Sequence, residues 1–153
     1  MKTLRGYTFI EVIIIVAIMA TTIGLVIAWT LSSLDRAKLQ ASNEELISSM
    51  REVQSEARNG EDSSAHGVRL TSEGFTSFIG NSFDASAPST RQTFTFPSSV
   101  HLTSIALNGG GIDLIFYANT GETAQYGNLI LDTIPPLESF AISISPLGLI
   151  DWQ

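Results

Sequence analysis

The chain has no cysteine. That excludes disulfides, thiolate nucleophiles and Cys-held metal, but it leaves the compartment open, because an exported domain can do without crosslinks. Positive charge runs out early. Across the 62 residues from Gln92 to Gln153 there is no Lys or Arg, while Asp113, Glu122, Asp132, Glu138 and Asp151 all fall there. With a formal net charge of −7, a surface drawn from that stretch repels phosphate, so nucleic acid is a poor partner. Histidine is scarce. His66 and His101 are the two in the chain, and neither has a second imidazole at helical or strand spacing to make a metal pair. Each reads as a surface or strand-edge residue.

Catalytic patterns are missing too. No Gly-x-Ser-x-Gly elbow follows a strand pattern, and Ser145-Pro146 reads as a turn. Gly109-Gly110-Gly111 has no Lys behind it and no helix to open, so it reads as a hairpin turn and not as an anion cradle. Asp113 and Asp132 are two carboxylates that paired strands can bring together, but a calcium site needs more oxygens than these supply. No catalytic residue, cofactor or metal is assigned, and the chain reads as non-enzymatic.

What the sequence does contain is a long apolar run. Val12 to Leu34 gives 23 consecutive residues without a charge, and about 20 suffice for a helix to cross the hydrocarbon core. Lys2 and Arg5 precede it, which puts Met1 in the cytoplasm and the residues after Leu34 outside. A cleaved secretory signal fits poorly, because the run is too long and no small-x-small site closes it. A single-pass anchor fits. The oddity is Glu11, a carboxylate at the front edge of the apolar run. A charge at the bilayer centre costs about 3 kcal/mol on insertion scales, so this acid needs a partner or a proton.

Arg5-Gly6-Tyr7-Thr8-Phe9-Ile10-Glu11-Val12 resembles the class III signal of type IV prepilins and type II secretion pseudopilins. Tyr7 stands where that family usually has Phe, and Phe9 where it has Leu. The resemblance implies that prepilin peptidase cuts between Gly6 and Tyr7 and methylates the new amine of Tyr7. Glu11 then becomes the fifth residue of the mature chain and pairs with the Tyr7 amine of a neighbouring subunit. The partners so implied are other pilin or pseudopilin subunits, prepilin peptidase, inner-membrane lipid and an exported protein.

No Pro or Gly interrupts Leu31 to Arg58. Leu46, Met50, Val53 and Ala57 recur at helical spacing, with Glu44, Glu45, Arg51, Glu52 and Glu56 on other faces. The pattern predicts one helix from Tyr7 to Arg58, 52 residues or roughly 78 Å, stopped at Asn59-Gly60. Then the period changes to two. A hairpin is expected from Gly67–Leu70 and Phe75–Ile79 around Glu73-Gly74, and a loop over Asn81–Thr90. Further strands are expected at Thr93–Phe96, His101–Leu107, Ile112–Tyr117, Asn128–Thr133, Phe140–Ser145 and Leu149–Trp152. Phe75, Phe78, Phe94, Phe96, Phe116 and Phe140 read as core or sheet-face residues.

The expected fold class is α+β: a long N-terminal helix, its first half transmembrane, packed against an antiparallel β-sheet or sandwich headgroup, which by resemblance is the pilin fold. The expected divisions are a leader at 1–6, a membrane or filament-core helix at 7–34, its amphipathic continuation at 35–60 and a β-rich head at 61–153. Gly127-Asn128-Leu129-Ile130-Leu131 and Ala141 to Gly148 are similar to the GspH/FimT group of minor pilins and pseudopilins. The expected function is a structural subunit of a type II secretion pseudopilus, held in the bacterial inner membrane with its head outside the cytoplasm. The alternatives are a type IV pilus minor pilin serving initiation, adhesion or DNA uptake, and a membrane-tethered binding domain that never polymerises.

Overall fold

The computed structural model describes residues 8–84, 86–135 and 138–153, without the side chains of residues 25–32 and 89. Helix α1 runs Phe9–Asn59, 51 residues. Among the described residues eight strands follow: β1 His66–Thr71, β2 Gly74–Ile79, β3 Gln92–Thr95, β4 Val100–Leu107, β5 Asp113–Phe116, β6 Gly127–Thr133, β7 Ser139–Ile144 and β8 Ile150–Trp152. They form two four-stranded antiparallel sheets, ordered β3-β2-β1-β5 and β4-β6-β7-β8. The architecture is therefore α+β with two antiparallel sheets. The chain divides into two compact units, Met1–Leu34 and Asp35–Gln153.

In the first unit every described side chain from Thr8 to Gly24 is exposed. Phe9 is 83% exposed, and Ile10, Val16 and Ile18 are more than half exposed. Two hydroxyls in this segment bond back to their own helix: Thr21 Oγ1 donates to the Ile18 carbonyl at 2.9 Å, and Thr22 Oγ1 to the same oxygen at 2.7 Å. Among the described residues, no helix is long and apolar enough to cross a membrane.

In the second unit the helical stripe does what its spacing implies. Leu39, Leu46, Ile47, Met50, Val53 and Ala57 enter one core cluster with Val68, Leu70, Leu114 and Phe116 of the first sheet and Leu129, Leu131, Ile142 and Ile144 of the second. Each fully buried side chain of this size contributes about 1.5–3 kcal/mol by leaving water. Strand alternation follows from the same demand. In β6, Leu129, Leu131 and Thr133 are buried while Asn128 and Ile130 face out. The helix ends at Gly60, which takes the left-handed conformation (φ 70°) that a Cβ would penalise. Gly67 has a different reason. The Phe78 ring lies across it, filling the space a side chain would need.

Two local expectations are corrected. The β1–β2 turn is Ser72-Glu73, because Gly74 already belongs to β2, paired with Thr71 of β1 and with Thr95 of β3. The glycine run after β4 does not close a hairpin. β4 belongs to the second sheet and β5 to the first, so Asn108–Ile112 carries the chain from one sheet to the other. Gly109 and Gly110 do have positive φ (90° and 72°), which serves that change of direction equally well.

Candidate functional site

Gly6 and Tyr7, the expected cleavage and methylation positions, lie outside the described residues. Glu11 is described, and it sits at the third helical position of α1, exposed. The Thr8 carbonyl accepts the N–H groups of Glu11 (3.1 Å) and Val12 (3.2 Å), which makes Thr8 the residue that opens the helix. In return the Thr8 N–H donates to Glu11 Oε2 at 3.4 Å. Thr8-Phe9-Ile10-Glu11 thus has the spacing of a capping box, and its carboxylate also lies at the positive end of the helix dipole. At 3.4 Å the bond is long, and no cation pairs with this acid among the described residues. Glu11 therefore keeps most of its accepting capacity for another group.

The two histidines part company. His101 is half-buried on an edge strand, with Nε2 3.1 Å from the Ser98 carbonyl, as a surface residue would be. His66 is not at the surface: it is 2% exposed. Its Nδ1 lies 3.2 Å from Glu56 Oε2 and its Nε2 3.2 Å from the Glu61 carbonyl. A polar cleft of about 100 Å³ adjoins it, between α1 and the first sheet, with Glu52, Glu56, Ser77 and Gln92 in its walls. Burial holds the Glu56 carboxyl above its ordinary range, against the pull of His66 in the other direction.

Asp113 and Asp132 do not approach across paired strands, since β5 and β6 lie in different sheets. Asp113 instead takes the Arg69 guanidinium, and its presence raises that already high pKa further. Asp132 accepts the Thr133 N–H at 2.7 Å. Among the described residues no group of three or more acids and histidines could hold a metal ion.

Sequence reasoning missed two features. One is the Glu56–His66 pair, and a signal for it did exist: Glu56 falls in the last turn of α1, where the helix dipole disfavours an acid. The other is Phe83, whose ring carries the Arg69 guanidinium at 3.9 Å and the Arg91 guanidinium at 4.0 Å. Two such groups fit over one ring on opposite faces, so the loop after β2 is pinned at its middle. Comparison with protein-family models, curated proteins and solved structures finds no match to this chain.

Proposed function

We propose that the chain is a non-enzymatic subunit of a type II secretion pseudopilus or a related type IV filament. It is inserted in the bacterial inner membrane by the apolar part of α1, relieved of residues 1–6 by prepilin peptidase, and assembled through that helix and Glu11. In this reading the head has the pilin fold and lies outside the cytoplasm. The observation that carries it is Glu11, the single charge in α1 before Asp35, exposed among large apolar side chains and held by one long contact. A free amine at Tyr7 of an adjoining subunit is the partner this acid lacks. Removed from water, each of the two groups becomes costly to leave alone, so their pairing fixes the axial register between subunits.

Two further features favour a lipid environment for this helix. Among the described side chains of residues 12–24, exposed apolar groups surround the helix with no charged stripe, as burial by lipid or by other helices requires. The Thr21 and Thr22 hydroxyls are satisfied by backbone within the helix, so they enter hydrocarbon without a lost hydrogen bond. Within the filament reading, a minor pseudopilin near a secretion tip is preferred to a DNA-uptake pilin. The final 62 residues offer no cation to a phosphate backbone.

A second reading has its own observation. The capping contact between Thr8 and Glu11 accounts for the acid within one chain, and then the helix is a plain tether for a binding domain. Mass spectrometry of the mature protein tests the processing step. A methylated amine on Tyr7 supports the filament reading; an intact Met1, or a cut beyond Ala28, ends it.

A further inference from the structure

The two nitrogens of the His66 ring each face an oxygen: Nε2 the Glu61 carbonyl and Nδ1 a carboxylate oxygen of Glu56, both at 3.2 Å. A carbonyl oxygen only accepts, so the Glu61 contact is a hydrogen bond when Nε2 carries the hydrogen. In the neutral ring that leaves a bare lone pair on Nδ1, facing a carboxylate that also only accepts. The contact is a hydrogen bond when one further proton is present, either on Nδ1 or on Glu56. Both placements make it charge-assisted or neutral and favourable. Without that proton, two lone pairs oppose each other in a buried place.

The segment this ring grips is strained. Between α1 and β1 the chain passes through Gly60, then Asp62 (φ 51°) and Ser63 (φ 50°), two successive non-glycine residues in the left-handed region. Such conformations cost of order 1–3 kcal/mol each and persist when the surroundings over-determine them. The surroundings here are specific. The Ala57 carbonyl accepts the N–H groups of Gly60 (3.1 Å) and Asn119 (2.8 Å), and the Ala65 carbonyl accepts that of Gly80 at 2.7 Å. His66 adds a side-chain connection that reaches both the helix, through Glu56, and the connector itself, through Glu61.

The charged groups facing the pair are all acids. Glu52 and Glu56 come from α1 and Glu61 from the short 3-10 turn Glu61–Ser63, while β2 and β3 contribute the neutral Ser77 and Gln92. No Lys or Arg lines the cleft among its described residues. Each neighbouring carboxylate favours keeping the shared proton and makes its loss more expensive.

We propose that His66 and Glu56 form a proton-dependent latch on the Gly60–Ala65 connector, closed while the pair holds its shared proton and released when that proton leaves. Release parts the ring from Glu56, so the connector that the ring still holds through the Glu61 carbonyl is no longer tied to the helix; Asp62 and Ser63 can then relax, loosening the first sheet from the last turns of α1. The direction follows from linkage. Burial raises the Glu56 carboxyl, and both ring contacts are hydrogen bonds only while the extra proton is present, so this stabilisation is complete at low pH and disappears as pH rises through the loss of that proton. The latch stands whether or not the chain polymerises.

The test uses the full chain in detergent micelles. Thermal unfolding is followed for the wild type and for Glu56→Gln, whose side-chain amide donates to Nδ1 without titrating. Between about pH 6 and pH 9, the wild-type midpoint should fall by about 3–6 °C relative to the variant. In parallel, long-range proton–nitrogen spectra of the His66 ring should show a hydrogen on Nε2 throughout, and a proton lost from the pair over the same interval. Parallel midpoint profiles would overturn the latch. So would a ring fixed as the neutral Nδ1–H tautomer at every pH. If Glu56→Gln does not fold, the wild-type ring spectra decide alone.

Discussion

Arg69 and Asp113 face each other across the β1–β5 pair and meet side-on, Nε to Oδ1 at 2.6 Å and Nη2 to Oδ2 at 2.7 Å. Both side chains are about a quarter exposed, so the pair is partly screened, but its two parallel bonds fix the guanidinium plane. That plane is what Phe83 lies against. Arg91 holds the ring from the other side and also donates to the Phe83 and Ser86 carbonyls at 2.6 and 2.9 Å. A loop that composition marks as irregular is thus organised around one aromatic ring.

Removing the guanidinium should therefore undo two things together. Arg69→Met is expected to cost about 1–3 kcal/mol in urea unfolding of the detergent-solubilised chain. It should also speed proteolysis within residues 81–90. Arg69→Lys should recover under half of the loss, because an ammonium cannot make the paired bonds or lie flat on the ring.

Asn43 offers the opposite sign. It is wholly buried on α1, and neither its Nδ2 nor its Oδ1 has a hydrogen-bond partner. An unsatisfied buried amide is a standing cost, and Leu places two methyls where the amide atoms were. Asn43→Leu is expected to stabilise the second unit by about 1–2 kcal/mol in the same urea titration. A destabilised variant would mean that the amide has a partner in solution.

Met50 tests whether the amphipathic part of α1 is a structural member of the head. It is 0% exposed and belongs to the shared core cluster. Met50→Ala should cost about 2–5 kcal/mol, whereas Ser55→Ala on the exposed face should stay within about 0.5 kcal/mol. Equal and small effects would show that the head folds without the helix.

Much of the architecture was legible because it rests on period. The Leu46, Met50, Val53, Ala57 stripe and the alternation in β1, β6 and β7 each state which side faces the core. Connections were less legible. Asn108-Gly109-Gly110-Gly111 reads the same whether the chain reverses within a sheet or crosses to another, since glycine specifies freedom and not destination. His66 was misread for a related reason. A lone imidazole gives no pattern, and its partner Glu56 belongs to a different periodicity ten residues earlier. Of the candidate site, Glu11 stood out by its chemistry alone, but its contact with Thr8 did not enter that reading although Thr-x-x-Glu spells it out.

That contact gives the most direct measurement. Gln serves a capping box as well as Glu does, while carrying no charge. Glu11→Gln and Glu11→Ala should both be processed after Gly6, and both should fail to assemble into filaments, scored by electron microscopy of sheared cell surfaces or by export of the secreted protein. If Glu11→Gln assembles at the wild-type level while Glu11→Ala does not, the acid is a helix cap. The pairing of a buried carboxylate with a neighbour's terminal amine would then be contradicted.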